Sequence, residues 1–142
     1  MTINNARTTH QQKPPIVLSV DDYERLYGLA YVAMNRMPSL AAALTEELER
    51  ARVLPKGSQP QHIVCMNSEV KFQNENSGRI QKVTLVYPED ADISEGKVSV
   101  LTPVGTALIG LRTGQSITWE TPNGEVRQLT VLEVRDTTPI GA

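Results

Sequence analysis

A chain of 142 residues with 14 basic and 16 acidic side chains carries a net charge of −2, so no strong field draws it to nucleic acid or anionic lipid, and its length allows one ordinary domain or two small ones. Its single cysteine, Cys65, excludes an intrachain disulfide and an all-cysteine metal site. Aromatic residues make up only 4%, too few for a stacking platform on single-stranded nucleic acid, and neither a membrane-length apolar run nor a signal-peptide core is present, so a soluble cytoplasmic protein is expected.

Residues 1–15 are polar, rich in Thr, Gln and Asn, and end in Pro14-Pro15. They cannot bury apolar surface and read as a disordered tail. Residues 16–56 read as an N-terminal helical hairpin. Ser19 and Asp22 have the spacing of a capping-box variant, with Asp21, Asp22 and Glu24 placing negative charge on a first helical turn. Tyr23, Leu26, Tyr27, Ala30, Tyr31, Ala33, Met34 and Met37 follow as a wide apolar stripe at helical spacing. The tyrosines share a face, expected to be core or an inter-domain seam. Pro38 is expected to end this helix and Ser39 to cap a second. The second helix has its stripe at Leu40, Leu44, Leu48 and Ala51, with Glu46, Glu47, Glu49, Arg50 and Arg52 outside. The longer arm, about 17 residues, would reach roughly 25 Å.

Residues 57–61 form a polar, Pro-containing linker, and from 62 to 142 the apolar period changes to two. Strands are predicted over 62–66, 69–73, 79–87, 97–101, 115–121 and 125–134, with Pro122-Asn123-Gly124 as a tight hairpin turn. Between two of them Val104, Ala107, Leu108 and Leu111 recur at helical spacing after Pro103. This predicts a short helix, closed by Gly110, that covers the sheet with Leu108 inward and Pro103 exposed. The fold class is therefore α+β, with a mostly antiparallel sheet.

Little in the sequence carries chemistry. His62 and Cys65 are the only neighbouring soft-metal ligands, and a strand would point them apart, leaving Cys65 a small core residue. Glu89, Asp90, Asp92 and Glu95 crowd one loop without calcium-loop spacing and read as a solvated turn. No phosphate-binding glycine loop or nucleophile motif is found. No catalytic, cofactor-binding or metal-binding residue is assigned, and a binding protein is favoured over an enzyme.

A family resemblance rests on an ordered series of blocks. Val83-Thr84-Leu85-Val86, Glu89-Asp90-Ala91-Asp92, Gly96-Lys97-Val98-Ser99-Val100, Thr102-Pro103-Val104-Gly105, Ala107-Leu108-Ile109-Gly110, Thr121-Pro122-Asn123-Gly124 and Leu132-Glu133-Val134 resemble the C-terminal domain of the bacterial Gre transcript cleavage factors. With Met66-Asn67-Ser68, Val70-Lys71-Phe72 and Thr84-Leu85-Val86-Tyr87-Pro88 added, the chain from about Pro15 onward is similar to the regulator of nucleoside diphosphate kinase (Rnk) family. The resemblance implies an FKBP-like C-terminal domain, a short antiparallel coiled coil, and docking at the secondary-channel rim of bacterial RNA polymerase. Thr102-Pro103, followed by Val104, stands where Gre factors have a Ser-Pro that grips the rim; Leu101 replaces the acidic residue that often precedes it. Gre factors carry carboxylates at the coiled-coil tip that help hold a catalytic magnesium ion, whereas the tip here, with Arg36, Met37 and Pro38, has none. The resemblance thus implies a non-catalytic, monomeric regulator that competes with Gre-type factors and affects nucleoside diphosphate kinase levels. It implies neither a cofactor nor a membrane partner, and no sequence-specific nucleic-acid binding. A transcript-cleavage stimulator and a general protein-interaction module are the alternatives.

Overall fold

Residues 14–58, 61–120 and 123–136 are described in a computed structural model of the chain. Extended backbone at Ser19, φ −71° and ψ 155°, lets its hydroxyl oxygen accept the Asp22 N–H at 3.2 Å and so opens α1, Val20–Ala33. The helix stops where Arg36 and Met37 both return their N–H groups to the Ala33 carbonyl, at 3.1 and 2.8 Å. Pro38 is then the first residue of α2, Pro38–Arg50, a position where a missing N–H loses no bond. The expected boundary is corrected accordingly: Pro38 starts the second helix, and Ser39 lies inside it rather than capping it.

Leu26, Ala30 and Ala33 of α1, with Ala41, Leu44 and Leu48 of α2, make the buried face of the hairpin. Three alanines allow close approach, so the seam is narrow: Tyr23 is half-buried and packs against the core as expected, while Tyr27 and Tyr31, against expectation, are 42% and 77% exposed. Glu47 departs in the opposite direction. Expected outside, it is 2% exposed, with the Arg50 guanidinium donating to its carboxylate at 2.7 Å. Positions 44, 47 and 48 share one helix face, and the guanidinium one turn on is what makes a buried carboxylate tolerable.

Two three-residue strands flank the hairpin. β1, Val17–Ser19, and β2, Arg52–Leu54, pair in parallel, Val17 opposite Arg52 and Ser19 opposite Leu54. Parallel neighbours need a crossover, and the hairpin provides it. Ala51 and Arg52, expected in the second helix, are therefore extended, with Ala51 at ψ 143°.

The second half is a five-stranded sheet in the order β5-β4-β3-β7-β6. β3, Ser68–Asn74, pairs antiparallel with both β4, Ile80–Val86, and β7, Val126–Asp136; β6, Ser116–Glu120, pairs antiparallel with β7, while β5, Lys97–Ser99, runs parallel to β4. Alternation places Val70 and Phe72 inside and Glu69 and Lys71 outside. A register shift between Lys71 and Phe72 skips Leu132 of β7, which is left partly exposed. The strand expected over 62–66 does not form. Ile63 makes a single bridge to Arg112, and Val64 exchanges hydrogen bonds with Gly110 and Leu111 at 2.9 and 2.8 Å, so the backbone polarity of this apolar run is met by a crossing segment rather than a ladder. The strand geometry that would separate His62 and Cys65 is thus absent; His62 is exposed and Cys65 half-buried. The acidic loop forms two exposed 3-10 turns, Pro88–Asp90 and Ile93–Glu95.

The predicted short helix is α3, Pro103–Leu108, packed against β6 and α2, with Leu108 fully buried. Gly110 follows at φ +80°, and a Cβ there would stand 2.7 Å from the Ile16 Cβ, so this contact needs glycine twice over. Buried residues of the hairpin, of β1 and of the sheet belong to one continuous cluster that includes Leu26, Leu44, Leu18, Leu108, Phe72 and Leu129. Among the described residues no helix is long and apolar enough to cross a membrane. Residues 1–13 of the expected tail, Gln59 and Pro60 of the expected linker, and Pro122 of the expected turn lie outside the described residues. Pro14 is described, and its carbonyl accepts from the Arg50 Nε at 3.2 Å.

Candidate functional site

Thr102, Pro103 and Val104 sit where β5 hands over to α3, and hydroxyl groups hold the junction. The Thr102 Oγ1 accepts the Gly105 N–H at 3.0 Å and donates to the Ser99 carbonyl at 2.7 Å, and Ser99 Oγ accepts the Leu101 N–H at 3.0 Å. The Thr106 hydroxyl adds a 2.8 Å bond to the Val100 carbonyl. Thr102 is thus an N-cap and Pro103 the first helical residue. Pro103, expected exposed, is half-buried, as are Thr102 and Val104. Part of the ring and of the Val104 side chain still faces outward on a rigid turn. Leu101 points into the core at 7% exposure, so the position before the threonine offers no polar group.

Arg36, Met37 and Pro38 form the exposed end of the hairpin, beside Met34 and Asn35. The 14 residues of α1 carry this tip about 20 Å from the end where β1 and β2 pair. Its side chains supply sulfur, amide, guanidinium and hydrocarbon, and no carboxylate occurs from Met34 to Leu40. The two candidate sets are not brought together: among the described residues no hydrogen bond or ion pair joins them.

A third cluster has no local sequence signature. Asp22 of α1 accepts the Met66 N–H at 3.2 Å, 44 residues away. Arg25, one turn on, lies 3.8 Å above the Tyr87 ring centroid and 3.0 Å from Glu89. Both partners of that ion pair are largely exposed, so the pair itself adds little. Burial raises the Tyr87 hydroxyl above its ordinary value, and the Asp22 charge adds to the shift. Burial likewise raises Asp22 above the ordinary value of 3.8, with Asp21 adding and the Met66 N–H and Arg25 opposing.

A raised acid binds its proton more tightly in the folded state. Stability from Asp22 is therefore fully present below 3.8 and is lost as pH rises through the higher folded value. Asp22→Asn keeps an oxygen for the Met66 N–H and removes the charge. Denaturant titrations across the acid range should show the variant gaining on the parent from pH 3.8 upward and then levelling off. A difference independent of pH would mean that Asp22 is not desolvated as described.

Comparisons with known proteins divide the chain in the same place as its architecture. Residues 14–54 match the family model for the Rnk N-terminus, and residues 59–136 that for the C-terminal part of the transcription elongation factors GreA/GreB. The regulator of nucleoside diphosphate kinase of Escherichia coli K12 is 41% identical over 122 residues, 86% of this chain and 90% of that protein. The transcription elongation factor GreA of Amoebophilus asiaticus is 32% identical over 108 residues, 76% of this chain and 68% of that one. Among solved structures, a GreA/GreB elongation factor from Nitrosomonas europaea superimposes with a TM-score of 0.67 at 41% identity, covering 87% of this chain and 99% of that one. With a Rnk N-terminus joined to a GreA/GreB C-terminal module and a full-length relative at this identity, the chain belongs to the Rnk family, regulators of nucleoside diphosphate kinase related to the Gre elongation factors.

Proposed function

We propose that this chain is a non-catalytic regulator of transcription that binds bacterial RNA polymerase at the rim of the secondary channel and competes there with Gre-type factors. The observation that carries the reading is a hairpin on a Gre-like module whose tip has no carboxylate. A magnesium ion takes hard oxygen ligands, and Arg36, Met37 and Pro38 provide none from their side chains. Arms of 14 and 13 residues reach only about 20 Å. In this reading the hairpin, as a short antiparallel coiled coil, fills the channel entrance, while an FKBP-like module at 62–142 holds the rim through Thr102, Pro103 and Val104. The residues 57–61 join the two, the protein acts as a monomer in the cytoplasm, and altered nucleoside diphosphate kinase levels follow from transcription.

Two measurements test this. The full chain should retain RNA polymerase in a pull-down; its absence from the bound fraction would favour a general interaction module. In stalled elongation complexes the chain should leave RNA cleavage unstimulated and reduce stimulation by an added Gre factor. Enhanced cleavage by the chain alone would instead make it a cleavage stimulator.

Pro103→Ala addresses the rim contact. Proline at a first helical position donates nothing to the helix, so the change should alter stability by no more than about 1 kcal/mol. Polymerase affinity should fall about tenfold, the equivalent of ~1.4 kcal/mol for a lost rigid apolar contact. Wild-type affinity in the folded variant would remove Pro103 from the contact surface.

A further inference from the structure

Among the described residues, concavities lie outside the surfaces described above. One, of about 170 Å³, is on the outer face of the sheet and is lined by Glu69, Lys71, Lys82, Glu133 and Arg135. Four of its five charges answer one another across the strands, Lys71 to Glu133 at 3.7 Å and Arg135 to Glu69 at 3.6 Å, and Lys82 is the one left over. It makes little demand on a ligand.

The second, of about 270 Å³, opens between the β1–β2 pair and the segment before β3. Val17, Arg52 and Leu54 line one side, and Gln61, Ile63 and Arg112 the other. Two of these residues are arginines and none is a carboxylate, in a chain whose net charge is −2. Neither guanidinium takes part in an ion pair among the described residues. The walls are fixed by backbone bonds. Arg52 is held opposite Val17 and donates its N–H to the Ile16 carbonyl at 2.9 Å, while the Arg112 N–H is taken by the Gln115 side chain at 2.8 Å. Between Gln61 and Ile63, His62 stands at φ 63°, in the left-handed region that residues other than glycine seldom occupy. Its carbonyl accepts the Thr113 N–H at 2.9 Å. Such a conformation is kept where the surroundings impose it, and it is commoner at binding sites than elsewhere.

We infer that this cleft binds a small phosphorylated ligand. Guanidinium groups match phosphate oxygens in pairs, and Gln61 adds an amide that can donate or accept. Val17 and Leu54 on one side and Ile63 on the other give apolar contact to a compact organic body. The volume, about 270 Å³, lies just under the range of drug-sized sites. It suits a phosphate or diphosphate on a small body. Val17, Arg52 and Leu54 belong to the segment matching the Rnk N-terminus, and Gln61, Ile63 and Arg112 to the segment matching the GreA/GreB C-terminal part. Occupancy therefore ties the hairpin unit to the sheet and stabilises the folded chain by linkage.

The test uses the full chain at low salt with inorganic pyrophosphate as probe, followed in amide proton–nitrogen spectra. Saturable shifts should be confined to residues 17, 52–54, 61–63 and 112, with a Kd of about 1 mM or below. Arg52→Gln and Arg112→Gln replace exposed side chains, and each should weaken binding by about tenfold or more with an unchanged melting temperature. Arg79→Gln, at an exposed site between β3 and β4, should bind as the parent does. No saturation by about 10 mM, or equal loss in all three variants, would overturn the assignment. So would tighter engagement of the same amides by a single-stranded oligonucleotide, which would give the cleft to a nucleic-acid backbone.

Discussion

Gly105→Ala should be strongly damaging for so small a change, lowering stability by about 3–5 kcal/mol. A Cβ on residue 105 would fall inside contact distance of the Ser99 carbonyl oxygen and 2.9 Å from both the Val100 Cα and the Thr102 Oγ1. Two of these atoms are backbone, so relief requires moving the end of β5 away from the start of α3. That movement breaks the bonds Thr102 makes to Ser99 and to the Gly105 N–H, and with them the turn that presents Pro103. Gly28→Ala is the natural comparison. Gly28 lies inside α1 with no atom within 4 Å of an added Cβ, so alanine there should raise stability by about 0.5–1 kcal/mol. Thermal unfolding of the two variants should shift in opposite directions, the first downward by about 10 °C or more. A Gly105→Ala protein that melts like the parent would mean that the β5–α3 junction is not packed as described.

The sheet was the easier part to read because alternation is a local signal. Val70 and Phe72 against Glu69 and Lys71 declare one buried face, and tertiary context only confirms the register. Pro103 with Val104, Ala107 and Leu108 likewise declares a short helix, although all of Gly105 to Leu108 is buried rather than one side alone. The misreadings share a different cause: each depends on what lies opposite in space. Periodicity gives the direction of the tyrosine face but not how far along it the cover extends: Tyr23 packs against the core, while Tyr27 and Tyr31 are left exposed. β1 and β2, three residues each, are too short to alternate visibly, and their parallel pairing exists only once the hairpin has closed. Ile63 and Val64 look like a strand, but the partner segment crosses them at Gly110 and Leu111.

The candidate surfaces divide along the same line. Thr102 to Val104 and the acid-free tip are contiguous in sequence, so resemblance and spacing suffice to single them out. The Asp22–Met66 bond and the cleft between Arg52 and Arg112 draw on residues 44 and 60 positions apart. Asp22 looked complete as a helix-start charge. Its second role needed the fold.

Leu44→Ala distinguishes one cooperative core from two. Leu44 is fully buried in α2, which packs on α3, and it belongs to the same cluster as Leu108 and the sheet residues. Truncation of a buried leucine costs ~2–5 kcal/mol, more where the cavity cannot collapse. The alanines already lining the seam leave few long side chains to fill the gap, so about 3 kcal/mol is expected, and a similar loss for Leu108→Ala. For a chain of this size that corresponds to a fall in melting temperature of about 10 °C in each variant. If the hairpin, β1 and the sheet unfold together, each variant should show a single transition, with helical and near-ultraviolet signals lost at the same temperature. Should Leu44→Ala instead split off an early helical transition while the Trp119 signal stays at the parental temperature, the hairpin is an independent unit. The contacts of Ile16 with Gly110 and of Asp22 with Met66 would then be too weak to couple it. Coupled unfolding follows from the geometry, because Gly110 accepts the Val17 N–H at 3.1 Å with its carbonyl and donates its own N–H to Val64 at 2.9 Å. One residue thereby fastens the N-terminal strand and the segment before β3 to the end of α3, and neither half can open without losing those bonds.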